Sequence, residues 1–181
     1  MDMPGSLPLI RNAGFDDLPA ILRITNDAIE NTDALWITTP FTLEQRRQWF
    51  EDRQAQGYPV LVAVTSDGNI AGYGSYGSFR SYEGYARTVE HSVYLSPEYQ
   101  RLGIGPLLLR ALIEYARDAG FHVMVAGITA GNAASVAMHH KLGFRSRGSL
   151  PQVGRKRGRW LDLLFMTLCL DDFSSVEKDF S

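Results

Sequence analysis

Apolar residues recur along this chain at two spacings, one helical and one alternating. Leu18, Ile21, Leu22, Ile24 and Ala28 keep a helical period behind Asp16 and Asp17, which predicts a helix over 16–31 capped by those aspartates. Thr42 and Gln45 form a capping-box pattern ahead of Trp49 and Phe50, predicting a second helix over 42–56 closed by Gly57. A third is predicted over 103–119, with Ile104, Leu108, Leu112 and Tyr115 on one face and Gly120 at its end. A fourth runs from Asn132 as its cap to Leu142 and stops at Gly143. Strand-like runs lie between them: LPLIR at 7–11, PVLVAV at 59–64, NIAGYGSYGSF at 69–79, TVEHSVYL at 88–95, HVMVAGI at 122–128 and RWLDLLFMTLCL at 159–170. Asp67-Gly68 marks a hairpin turn. The order is β, α, α, β, β, β, α, β, α and then one or two further strands. It predicts an α/β protein with a mixed sheet, helices on both faces and a βαβ unit after the hairpins.

Composition narrows the class. The 181 residues make one domain, expected over 7–170, with a polar tail over 171–181 that is expected to fray. A net charge of −2 argues against a general nucleic-acid binder. Cys169 is the single cysteine, so no internal disulfide framework exists. No apolar run reaches the ~18 residues of a membrane span, and MDMPGSLPLIRN lacks the basic and apolar regions of a secretory signal. A soluble, cytoplasmic protein is expected, with no membrane partner.

Chemistry concentrates in YQRLGIGPLLLRAL, residues 99–112. The preceding strand should stop at Ser96-Pro97, because proline donates no ladder hydrogen bond. Gln100, Gly103 and Gly105 then lead into a helix that carries Pro106 in its first turn. The first backbone N–H groups of a helix have no internal partner and sit at the positive end of its dipole. Glycines let a ligand approach them, so the junction suits a pyrophosphate. A plain strand-to-helix turn reads the same way locally. The pattern is neither a Walker A loop nor G-x-G-x-x-G, since position 108 is leucine.

Gln100-x-x-Gly103-x-Gly105 after a strand ending in Ser-Pro resembles motif A of the GNAT acetyltransferases. NAASVAMHHKLGF at 132–144 resembles that family's next motif. TVEHSVYLSPEYQRLGIG, GFHVMVAGITAGNAASVAMHHKLGF, VGRKRGRWLDLLFM and NDAIENTDALW resemble its phosphinothricin and methionine sulfoximine N-acetyltransferase branch. The likeness spans about residues 8–170. It implies the acyl-CoA N-acyltransferase fold: a mostly antiparallel mixed sheet flanked by helices, with a central βαβ cofactor unit. It also implies acetyl-CoA as donor, a small amino acid or analogue as acceptor, a homodimer, and herbicide resistance where phosphinothricin is the acceptor. One departure is visible. Arg101-Leu102 stand where many members carry a further glycine and a lysine.

The resemblance assigns roles residue by residue. Glu90 would take the proton of the attacking amine, directly or through water; on residue type alone it reads as a surface strand glutamate. Glu90, His91 and Ser92 line the substrate in the family. Strand alternation puts Glu90 and Ser92 on one face and His91 on the other, where a packed histidine is an equal reading. Val93, Tyr94 and Leu95 would hold pantetheine through their backbone, and an N–H there would steady the oxyanion. Arg101, Leu102, Gly103, Ile104, Gly105 and Pro106 would take the pyrophosphate. Asn132 would contact the pantetheine arm as well as cap its helix. His139 occupies the position where many members carry a tyrosine acid for the leaving thiolate, with packing as the other reading. Arg80, Ser81 and Tyr82 would meet the acceptor, Arg80 through its carboxylate, with Trp36 as a pocket wall; a solvated loop cation is the other reading of Arg80.

GRKRGRW at 154–160 is basic and admits a nucleic-acid reading, which the mild net charge disfavours. In the family this segment lies beside the site and near a two-fold interface, so Lys156 and Arg157 would reach an anionic substrate or a partner subunit. No metal is implied, because His91, His139 and His140 make no zinc spacing with carboxylates. Two alternatives stay open: an acetyltransferase for polyamines or peptide N-termini, and an acyl-CoA sensor without chemistry.

Overall fold

The computed structural model describes residues 7–172. Its elements run β1 (Leu9–Asn12), α1 (Leu18–Asn31), α2 (Leu43–Ala55), β2 (Val60–Val64), β3 (Ile70–Ser78), β4 (Thr88–Leu95), α3 (Ile104–Asp118), β5 (Val123–Thr129), α4 (Ala133–Lys141), β6 (Arg145–Lys156) and β7 (Arg159–Cys169). The strands form one sheet in the order β1-β2-β3-β4-β5-β7-β6. Every neighbouring pair is antiparallel except β4–β5, the parallel pair bridged by α3. This is the mixed sheet and central βαβ unit expected from the order of elements. The predicted tail from 171 lies outside the described residues, apart from Asp171 and Asp172 in a last helical turn.

Each face of the sheet carries its own core. Leu108, Leu109, Leu112 and Ile113 of α3 pack on Ala71, Tyr76, Val89, Met124 and Ala126. On the opposite face Leu18, Ile21 and Ile24 of α1 and Phe50 of α2 cover Val60, Val62 and Tyr73. Each fully buried aliphatic side chain here contributes about 1.5–3 kcal/mol. Adjacent strand residues point to opposite faces, so β4 sends Val89 to the α3 side and Tyr94 to the α1–α2 side, against Tyr73.

Two local expectations change. The helix expected from 16 begins as a short 3-10 turn at Phe15–Asp17, with α1 starting at Leu18. The Asp17 carboxylate does not cap it. Arg11 donates to it at 2.7 and 2.9 Å and the Gly14 N–H at 2.8 Å, and the paired guanidinium holds the Asp17 pKa below the usual carboxylate range. The capping box at Thr42 and Gln45 forms as predicted. Residues 145–156, which carry no alternation, form the twelve-residue edge strand β6, interrupted by irregularities after Ser146 and Leu150.

Candidate active site

Strands β4 and β5 pair only over Thr88–Glu90 and Val123–Val125. Beyond Glu90 they part, while β4 stays paired to β3 as far as Leu95 and β5 to β7 as far as Thr129. The splay leaves the β5-facing backbone of His91–Leu95 without a strand partner, and two connected cavities open there.

The larger, about 920 Å³, is lined by Val93, Tyr94, Leu95, Gln100, Arg101, Gly103, Gly105, Pro106 and Asn132. This brings together most of the residues expected to hold the cofactor. Gly103 precedes α3 at φ 80° and Arg101 sits at φ 63°, so the loop turns through left-handed backbone twice. The unpaired N–H groups of the first turn of α3 therefore sit beside this groove. Asn132 caps α4 by accepting the Ser135 N–H at 3.1 Å. Leu102 is exposed and Ile104 is buried in the core, so neither side chain lines the groove.

The smaller cavity, about 420 Å³, is lined by Glu90, His91, Ser92, Trp36, Arg53, Gly77, Ser78, Gly127, Ser135 and His139 among others. It shares Val93, Tyr94, Thr129, Asn132 and Ser135 with the groove. Burial raises the Glu90 pKa above the ordinary carboxylate value, and the charge of Arg80 partly opposes this. Glu90 Oε1 lies 3.0 Å from where a Cβ on Gly127 would stand, so glycine makes its space. Trp36 donates from Nε1 to Asp33 O at 3.0 Å and to Thr129 Oγ1 at 2.9 Å, and its ring covers Gly154 where a side chain would collide. Arg80, Ser81 and Tyr82 are exposed and stand outside the lining of this cavity.

His91 points to the other face, as alternation requires, and stacks on His139 of α4 with Nε2 to Nε2 at 3.0 Å. His139 Nδ1 lies 2.7 Å from Ser135 O, a carbonyl that can only accept. The His139 proton therefore sits on Nδ1, its Nε2 accepts, and His91 donates from Nε2. That leaves His91 Nδ1 as a lone pair, and it is buried without a partner. Burial holds both rings neutral, moving the His91 pKa down to about 3 and lowering that of His139.

Lys156 and Arg157 do not reach into either cavity. Lys156 Nζ donates to Thr32 O at 2.7 Å and Leu35 O at 2.6 Å, and Arg157 Nη2 to Glu30 O and Thr32 O at 2.9 Å each. The last carbonyls of a helix lack partners and carry its negative end, which is why two cations settle on the end of α1. Arg159 adds an ion pair to Asp33. The basic turn between β6 and β7 thus clamps the segment that carries Trp36.

Arg53 and Gly127 were not singled out from sequence. An arginine in the last turn of a helix looks like a dipole partner, and only the glycines facing these side chains hint at the space they need. A further group of metal-ligand type, His122, Cys169 and Asp171, brings donor atoms within 4.8 Å of one another at the end of β5 away from the cavities.

A splayed parallel strand pair, a glycine loop at a helix start and a carboxylate in the adjoining cavity define an acyl-CoA-dependent acyltransferase site. The chain belongs to the acetyltransferase (GNAT) family, whose model matches residues 21–144, and acetyl-CoA is its acyl donor. The L-methionine sulfoximine/L-methionine sulfone acetyltransferase of Pseudomonas aeruginosa is 56% identical over 167 residues, covering 92% of this chain and 97% of that protein. A ribosomal-protein-alanine N-acetyltransferase from Brucella melitensis matches in structure with TM-score 0.88 at 53% identity, covering 89% of this chain and 99% of that one. A phosphinothricin acetyltransferase from Sinorhizobium meliloti, solved with AcCoA, matches with TM-score 0.89 at 35% identity, covering 91% of this chain and 89% of that one. Among the described residues no helix is long and apolar enough to cross a membrane.

Proposed function

We propose that this protein transfers the acetyl group of acetyl-CoA to the α-amine of a small amino acid or analogue of the L-methionine sulfoximine, L-methionine sulfone or phosphinothricin type. The carrying observation is Glu90: a carboxylate with a raised pKa, in a cavity of about 420 Å³ continuous with the coenzyme groove. The donor supplies an activated acetyl thioester. Glu90 accepts the ammonium proton of the acceptor, and a base of raised pKa is suited to that task near neutral pH. The free N–H groups of β4 hold the donor arm and polarise the acyl oxygen, Asn132 stands at the junction of the two cavities, and Trp36 closes the wall.

The neutral His91–His139 pair gives His139 a limited part as acid. Its Nδ1 proton is engaged by Ser135, so proton donation requires one extra proton on a pair that burial keeps neutral. A thiol of pKa about 8.5 leaves with little help. The charge of Arg80 is felt at Glu90, and in this reading Arg80, Ser81 and Tyr82 meet the acceptor from outside the cavity lining.

The reading includes a cytoplasmic homodimer. The exposed edge strand β6, with Leu150 and Val153 exposed on it and Trp160 on β7, supports a contact with a second copy. The Brucella relative, a ribosomal-protein-alanine N-acetyltransferase, keeps a second acceptor class in view, an alanine of a protein. The test is thiol release from acetyl-CoA with L-methionine sulfoximine, L-methionine sulfone, L-phosphinothricin, L-methionine, spermidine and an alanine-initiated peptide. The highest kcat/KM is expected for one of the first three. Turnover of only spermidine or the peptide would overturn the acceptor class, and acetyl-CoA binding without any turnover would favour a sensor.

A further inference from the structure

Arg53 lies in the last turn of α2 and lines the cavity that holds Glu90. Its guanidinium fills the place a side chain on Gly77 would take, and Gly77 is the cross-strand partner of Glu90. Directly paired residues send their side chains to the same face, so Arg53 and Glu90 address one side of the sheet from neighbouring strands. The guanidinium is flanked by the rings of Trp49 at 5.9 Å and Tyr58 at 5.7 Å. Its Nε is buried without a hydrogen-bond partner, and no carboxylate pairs with it among the described residues. Burial lowers its pKa, although an arginine stays charged at any physiological pH.

A fixed, half-buried cation without a counter-charge, in a cavity facing a carboxylate, is matched by a zwitterion. We propose that Arg53 is the specificity-determining residue that receives the acceptor's carboxylate, leaving the α-amine toward Glu90. The planar guanidinium offers parallel donors to a carboxylate, and its aromatic flanks restrict its rotation before the acceptor arrives. The surrounding groups explain why an anion is needed: Glu90 alone would favour any amine, polyamines included, whereas Arg53 repels a second cation and rewards an acid. The inference rests on the proposed α-amine acetylation and names the contact that selects its acceptors.

The experiment compares L-methionine sulfone with its carboxamide, which keeps the amine and loses the anion, in the wild type, Arg53→Met and Arg53→Lys. The wild type is expected to favour the acid over the amide by about 100-fold in kcat/KM, the size of a charged hydrogen-bonded contact. Arg53→Met should shrink that preference to within about threefold through the acid's KM, with the KM of acetyl-CoA unchanged, and Arg53→Lys should restore part of it. An acid preference that survives Arg53→Met overturns the inference, as does a loss that follows the sulfone oxygens instead of the carboxylate. Calorimetric titration of L-methionine sulfone into the CoA-bound protein reads the same contact without turnover. Binding by the wild type and not by folded Arg53→Met upholds the carboxylate contact even if acetylation fails. Equal binding by both, or none by the wild type, overturns it.

Discussion

Lys156→Met tests the basic clamp directly. Lys156 is 3% exposed, and its ammonium serves two backbone carbonyls of the segment that follows α1. Methionine retains the length of the side chain and removes the charge and the donors. Thr32 O keeps its bond from Arg157, whereas Leu35 O loses the Lys156 donor in a buried setting. One charge-assisted bond lost with its acceptor left behind costs about 2–3 kcal/mol. For a domain of this size that corresponds to a fall in Tm of about 5–10 °C. Leu35 and Trp36 wall the cavity that holds Glu90, so on the proposed function kcat/KM for the acceptor should also fall by about tenfold, the effect of a slightly misplaced binding wall. Differential scanning calorimetry and thiol-release kinetics on the same preparation read both quantities. A Tm shift below about 1 °C would show that the ammonium contributes no net stability and refute the clamp. Unchanged kinetics in a destabilised variant would separate the clamp from the cavity.

The histidine pair predicts acid sensitivity. The pKa of His91 in the folded protein, about 3, lies below its ordinary 6.5, so between those values the unfolded chain holds a proton that the folded chain refuses. Stability is therefore complete above pH 6.5 and is lost as pH falls toward 3, by up to about 4 kcal/mol from this residue. Urea unfolding at pH 7, 5 and 4 should show His91→Leu losing less stability on acidification than the wild type; parallel losses would contradict the assignment. Gly127→Val places a branched side chain against Glu90 Oε1 and should lower kcat at least tenfold, the range of a displaced base, with the fold retained by circular dichroism. Full activity in that variant would show that Glu90 has room to move.

The helices and inner strands were legible because their side chains face one core or the other. The alternating TVEHSVYL became β4, and the leucine stripe of 104–113 became α3. Strand β6 was hidden by its exposure: RSRGSLPQVGRK lies at the sheet edge, where pairing with β7 alone holds it and no apolar alternation is required. The turn from β4 into α3 beside the larger groove was readable from two glycines, a proline and the strand before them. The histidine pair was not, since His91 and His139 meet across 48 residues of chain. Arg53 was equally silent, because the information lies on Gly77, a strand glycine whose reason for being small is the guanidinium it admits. Lys156 and Arg157 were expected to reach an anionic substrate or a partner subunit, because the carbonyls at the end of α1 that they serve lie more than 120 residues away in the chain.

The central claim is that Glu90 accepts the proton of an acceptor amine held in the splay between β4 and β5. The most direct measurement is kcat/KM for L-methionine sulfone against pH, in the wild type and in Glu90→Gln. The wild type should gain activity as pH rises through a limb displaced above the ordinary carboxylate range, because the base works only when ionised and burial raises its pKa. Glu90→Gln should lose that limb and about 100-fold or more in rate, with acetyl-CoA binding intact. A Glu90→Gln enzyme that keeps both the rate and the limb would contradict the account.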